Sequence, residues 1–211
     1  SHLSDWQESQ QELKKAPLLS GMATFPMAGM ILSTYLLRIL PTSMSIIAQA
    51  LWWFAFLLDV GLIIYFTKNY VQTKPRTSAT PSWTVLYVGI AVASLTYPVV
   101  GIVEIAYGAW IFGFTLTLFL YPLIYQDLKS NPLPRALLGQ EGIYCAPFSL
   151  LLAALVRIEG SGLHGWILLV MILASQTFFF FVLSRLPMIL KQGFQPAFSA
   201  LTFPTIITAT S

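Results

Sequence analysis

Long apolar runs separated by short polar, mostly basic stretches set the pattern of this chain. Seven such runs are legible, from about Leu19 to Leu40, Ser43 to Phe66, Ser82 to Gly101, Val103 to Tyr125, Gly142 to Val156, Leu163 to Leu186 and Phe194 to Ser211. Most have the length of about 20 residues that a helix needs to cross a hydrocarbon layer of about 30 Å. They lack the strict alternation of a membrane barrel, so their backbone polar groups must be satisfied within helices. The pattern predicts an all-α integral membrane protein, with residues 1–18 a cytoplasmic loop or tail and residues 19–211 a transmembrane helical domain.

Proline marks these runs with a beat. Pro26, Pro147 and Pro204 stand in Thr24-Phe25-Pro26, Cys145-Ala146-Pro147 and Thr202-Phe203-Pro204. Their spacing fits a period of about 60 residues, the length of a helical hairpin that crosses the bilayer twice. A member is then missing near Leu86. Proline removes one helical hydrogen bond and collides with the carbonyl four residues earlier, so each such helix bends there. Repeated bends at one depth, with Gly21, Ala28, Gly29 and Gly89 permitting close approach, suit a ring of helices around a central axis. Simple tolerance of proline by membrane helices would account for each one singly, but poorly for their spacing.

Composition agrees: 56% of the residues are hydrophobic and 9% charged, too few polar groups to cover a water-soluble domain. The net charge of +3 sits in loops between apolar runs, which argues against a nucleic-acid partner and for a role in orientation. Lys14, Lys15, Lys68, Lys74, Arg76, Lys129, Arg135, Arg185 and Lys191 fall on one side, Arg38 and Arg157 on the other. The positive-inside rule then puts the first residues in the cytoplasm, in a multi-pass protein of the inner (plasma) membrane. Trp52, Trp53, Trp83, Trp110 and Trp166 read as interfacial anchors or packing groups, mostly near span ends.

Chemistry-bearing motifs are scarce. The chain has no metalloprotease, nucleophile-elbow, phosphate-loop or dinucleotide fingerprint, and His2 and His164 have no partners in sequence for a metal site. The single Cys145 reads as a small core residue. An enzyme is therefore a poor reading, and no cofactor or metal is expected. Among ionisable residues, Asp59 alone falls well inside a span, where placing a charge costs about 2.5 to 3.5 kcal/mol. It reads either as a structural hydrogen-bonding group or as a site for protons or substrate. Glu104, Arg38 and Arg157 lie at span ends and are expected to reach the interface.

Taken together, the hairpin period, Pro81-Ser82-Trp83 followed by Tyr87-Val88-Gly89-Ile90, the Ile143-Tyr144-Cys145-Ala146-Pro147 helix and the Pro196 to Pro204 stretch resemble the tellurite-resistance and dicarboxylate transporter family. That family includes sulfite efflux pumps, malate carriers and the slow anion channels of plant guard cells. The resemblance implies ten helices in five hairpins, with proline-kinked odd-numbered helices lining a central pore, even ones outside, and assembly as a homotrimer. The seven segments correspond to family helices three to nine. The opening Ser1 and the unflanked last helix likewise read as cut ends of a longer protein.

The resemblance also assigns a pore gate, Phe203, just before Pro204. Phe25 holds the matching place beside Pro26 and is expected to face the same axis, whereas Phe148 follows Pro147 and is expected to point elsewhere. Gly89, Pro26, Pro147 and Pro204 then line the pore or kink its helices, and Leu86, where the family often has proline, leaves the bend of its helix open. The implied activity is passage of small anions through a phenylalanine-gated pore. The alternatives are proton-coupled carriage of a dicarboxylate such as malate, export of sulfite or tellurite, and a truncated chain that transports nothing. The partners expected are a lipid bilayer, small anions or dicarboxylates, and further copies of the chain.

Overall fold

A computed structural model describes residues 16, 19–73, 78–133 and 135–190. The described residues form helices joined by short turns, and five are long and apolar enough to cross a membrane, or six if one bent pair is a single span. The seventh apolar segment predicted from sequence, with Phe203 and Pro204, lies outside the described residues.

Helix α1 (Thr24–Ile39) follows a short helical turn from Leu19. The interruption at Met22 and Ala23 follows from Pro26, which has no N–H to offer the Met22 carbonyl. That carbonyl accepts from the Phe25 N–H at 3.0 Å instead, and the Thr24 hydroxyl donates to the Gly21 carbonyl at 2.8 Å. Helix α2 (Ser45–Phe66) runs on into a widened π-turn, Thr67–Val71. Its buried stripe, Ala48, Trp52, Ala55, Asp59, Ile63 and Phe66, recurs every three or four residues, the spacing of one helix face. Gly29 lets α1 lie close on that stripe, since a Cβ there would stand 3.0 Å from the Ala55 Cβ.

The next span is broken. Helices α3 (Ser82–Gly89) and α4 (Val92–Thr96) meet at a bend of 41°. Tight i to i+3 bonds hold the break: Ala91 N–H to the Val88 carbonyl at 2.9 Å and Ser94 N–H to the Ala91 carbonyl at 3.0 Å. A bend without proline therefore occupies the second hairpin, and Leu86 is a buried core residue one turn before it. A 3-10 turn, Tyr97–Val99, then leads through Gly101, at φ +75, to α5 (Val103–Ser130).

The 3-10 stretch Arg135–Cys145 passes directly into α6 (Ala146–Glu159), with Pro147 in the first α-helical turn, where a missing N–H costs nothing. Helix α7 (Gly165–Leu190) returns along it. Residues of α3, α4 and α6 are buried almost throughout, so their apolar side chains form the core.

Inner and outer elements are joined by directed bonds. The Trp52 indole donates to Thr96 Oγ1 at 2.7 Å, Ser94 Oγ to the Ala106 carbonyl at 2.7 Å, and Trp110 to the Leu151 carbonyl at 2.8 Å. The spans of α3 with α4 and of α6 are thus enclosed by their neighbours; with α1, which packs on α3 and α4 but is as exposed as α2 and α5, they make an inner row beside the outer helices α2, α5 and α7. Trp52 and Trp83 are fully buried and serve as packing groups, Trp83 in the first turn of α3. Their rings pack against Phe56 and Phe66, so large aromatic groups fill the seam between α2 and the inner row.

Candidate functional site

The inner row changes course in three places: an interrupted turn at the start of α1, the 41° bend between α3 and α4, and the passage from 3-10 to α-helix at the start of α6. Met27, one turn after the Met22–Ala23 interruption, lies against Gly89, where a Cβ would stand 2.7 Å from its Sδ. On the other side of the bend, Ala91 and Leu151 flank Gly113 of α5 at 3.3 and 3.5 Å from the position of a Cβ. Leu151 is one turn beyond Pro147. The bend between α3 and α4 leaves backbone dipoles and partly freed carbonyl and N–H groups inside the bundle, where irregular backbone survives only within protein or beside a cavity.

Among the described residues, Lys, Arg and His are kept away from the bend between α3 and α4. The described basic residues stand at the two ends of the bundle, with Arg38 and Arg157 exposed at the ends of α1 and α6. Glu104 is exposed in the first turn of α5, as expected from sequence. At the opposite end, Asp127 Oδ2 accepts the Ala79 N–H at 2.7 Å. Next to it the inner row carries a hydroxyl cluster, with Ser82 Oγ 2.8 Å from both Ser20 Oγ and Thr80 Oγ1. At the same end as Arg185, Gln140 is buried, and its Oε1 and Glu141 Oε2 have no hydrogen-bond partner among the described residues. Together these groups make one end of the inner row polar, and the row also carries the buried hydroxyls of Ser33, Thr84, Ser94, Thr96 and Ser149.

The residues singled out from sequence are only partly brought together. Pro26 and Gly89 come close through Met27, and Pro147 lies buried at the start of α6. Phe25 is 71% exposed and belongs to an apolar groove between α1 and α2 of about 530 Å³, shared with Tyr35, Phe54 and Leu58. Phe148 turns away from the inner row and stacks on Phe178 at 5.3 Å, with Tyr121 edge-on at 5.7 Å. Asp59 is fully buried, and neither of its carboxylate oxygens has a hydrogen-bond partner among the described residues.

Sequence reading missed the hydroxyl cluster, the polar pair Gln140 and Glu141, and Gly113. Serine and threonine within apolar runs are too common to stand out singly. The spacing of Ser82 after Thr80 near a helix start was a usable signal for the cluster. Nothing in the sequence joins Ser20 to it across 62 residues.

A family model described as voltage-dependent anion channel matches residues 3–211. No curated protein matches the chain.

Proposed function

The chain belongs to the voltage-dependent anion channel family, and on that premise we propose that it passes small anions across the inner (plasma) membrane through a phenylalanine-gated axis. Its membrane-crossing helices and its family place it in anion transport across a membrane. The observation that supports the finer reading is the buried span of α3 with α4, bent by 41° beside Met27 of α1 and Leu151 of α6, with no Lys, Arg or His of the described residues at the bend. Helix ends and backbone dipoles attract an anion weakly enough to let it leave, whereas a buried cation would hold it. Basic loops add a positive field at the membrane surface that draws anions to the mouth. Phe203, beside Pro204, is the gate of this reading, and three copies of the chain form the assembly.

Reconstitution tests it. Proteoliposomes loaded with an iodide-quenched dye are expected to lose fluorescence on addition of iodide, under a potential set by potassium and valinomycin. Equal rates in protein-free vesicles would sink the transport reading.

The orientation we propose puts the basic end in the cytoplasm. Ser130 ends α5, whereas Ser161 lies in the turn between α6 and α7. In a chain with Cys145 replaced by serine, a cysteine at Ser130, or at Thr77, is expected to react with an impermeant maleimide only from the cytoplasmic side. One at Ser161 is expected to react only from outside. Labelling of Ser130 and Ser161 from the same face would contradict the arrangement of hairpins.

A further inference from the structure

Asp59 stands far from both ends of α2, and two flanking contacts fix what it faces. Seven residues before it, Trp52 bonds to Thr96; seven residues after it, Phe66 packs on Trp83 and Tyr87 with ring centroids 5.2 and 6.2 Å away. Helix α2 runs antiparallel to the broken span, at about 1.5 Å per residue. Its midpoint between those contacts therefore lies opposite the midpoint between Trp83 and Thr96, which is the break at Ile90 and Ala91. Asp59 belongs to the same buried stripe as Trp52, Ala55 and Phe66, so the carboxyl is buried at the level of that break, between it and α1.

Among the described residues no counter-charge meets it there. Helix α1 packs on α2 through Gly29 and Ala55, and its ionisable residues are Tyr35 and the exposed, terminal Arg38. Helix α3 brings Tyr87, whose hydroxyl is already 2.7 Å from Thr67, and the following 3-10 turn brings Tyr97. Helix α4 brings no titratable residue. Lys68 and Tyr70 lie in the π-turn more than two helical turns away, and Tyr65 is exposed. A carboxylate in this place would lose its hydration with no ion pair and no hydrogen bond from the described residues in return, whereas the neutral acid leaves a much smaller loss.

We propose that Asp59 is a proton-binding site that links anion passage to pH. In the conformation described the group is the neutral acid, and its ionised form requires the break at Ile90 and Ala91 to admit water. An anion in the neighbouring axis and a carboxylate on α2 repel each other, so anion occupancy and protonation of Asp59 favour each other reciprocally. At a separation of about 10 Å and an effective dielectric constant of about 20, that repulsion changes affinity on the order of tenfold. The sign is fixed: passage is favoured while the acid is neutral and falls as pH rises through its titration. The proposal rests on the anion-transport reading for its consequence, but the protonated carboxyl can be observed without transport.

The test has two arms on the purified full chain. Infrared spectroscopy at neutral pH is expected to show the carbonyl stretch of a buried, protonated carboxylic acid. That band should vanish in Asp59→Asn and persist in Glu141→Gln. In proteoliposomes, iodide flux is expected to be about tenfold higher at mildly acidic than at mildly alkaline pH in the wild type. In Asp59→Asn it should stay near the acidic level throughout. A spectrum without the band overturns the proposal even if Asp59→Asn cannot be recovered. So does a pH slope that survives in Asp59→Asn, or a flux that follows sodium instead of pH. Iodide flux absent at every pH, with the Asp59 band present, overturns the transport reading and leaves the proton site standing.

Discussion

Phe203→Ala is expected to raise anion conductance by about tenfold or more, because each 1.4 kcal/mol or so removed from a barrier multiplies the rate about tenfold. An aromatic ring in a dry constriction blocks by filling it, and truncation takes away the plug without altering charge. The alternative role for Phe203 is ordinary packing. In that case alanine would cost about 3 to 5 kcal/mol and appear as a lower yield of folded protein, with unchanged conductance in what survives. Planar-bilayer recordings of Phe203→Ala beside Phe198→Ala separate these roles: the gate requires a large rise in the first and little change in the second. If both conduct like the wild type, the gate assignment fails. Phe25→Ala is a useful companion, since Phe25 is exposed in the groove between α1 and α2 and its truncation should leave the fold intact.

Much of the architecture was legible because the bilayer imposes it. Apolar runs such as Ser43 to Phe66 and Val103 to Tyr125 recur as α2 and α5, with shifts of a few residues at their ends. The break near Pro26 was legible for the same kind of reason: a missing N–H leaves its mark on the chain whatever surrounds it. The bend in the second hairpin was not legible from proline, for Leu86 stands at the periodic place and packs in the core. It is made instead by two tight turns around Ile90 and Ala91, with Gly89 pressed against Met27. Such a bend depends on what the neighbouring helices leave room for, and that is long-range information. Phe148 was expected to point elsewhere than Phe25, and its ring packs on Tyr121 of α5 and Phe178 of α7. Asp59 was conspicuous in the sequence as an acid within an apolar run. Its lack of a hydrogen-bond partner and its place opposite the break emerge only once α2 is laid against α3 and α4.

Gly113→Leu is expected to abolish recovery of folded protein. The residue sits where α5 meets both halves of the inner row: a Cβ there would be 3.3 Å from the Ala91 Cβ, 3.5 Å from Leu151 Cδ2 and 3.6 Å from the Val88 carbonyl oxygen. Two of those neighbours, a Cβ and a backbone oxygen, have no rotamer to yield, so a branched side chain must drive α5 away from the break. The cost exceeds the range of about 1 to 3 kcal/mol that smaller overpacking brings, and it also threatens the bond from Trp110 to the Leu151 carbonyl. Gly108→Leu, on the same helix, is the control, because a Cβ there meets nothing within 4 Å. Size-exclusion profiles in detergent should show a monodisperse peak for Gly108→Leu and aggregate for Gly113→Leu. Gly113→Ala stands between them. Its single methyl need displace Ala91 by only a few tenths of an ångström, so this variant should fold while shifting the break itself. If the break belongs to the conducting axis, Gly113→Ala alters iodide flux at unchanged yield. Wild-type flux from Gly113→Ala, together with well-folded Gly113→Leu, would show that the contact of α5 with the break governs neither stability nor passage.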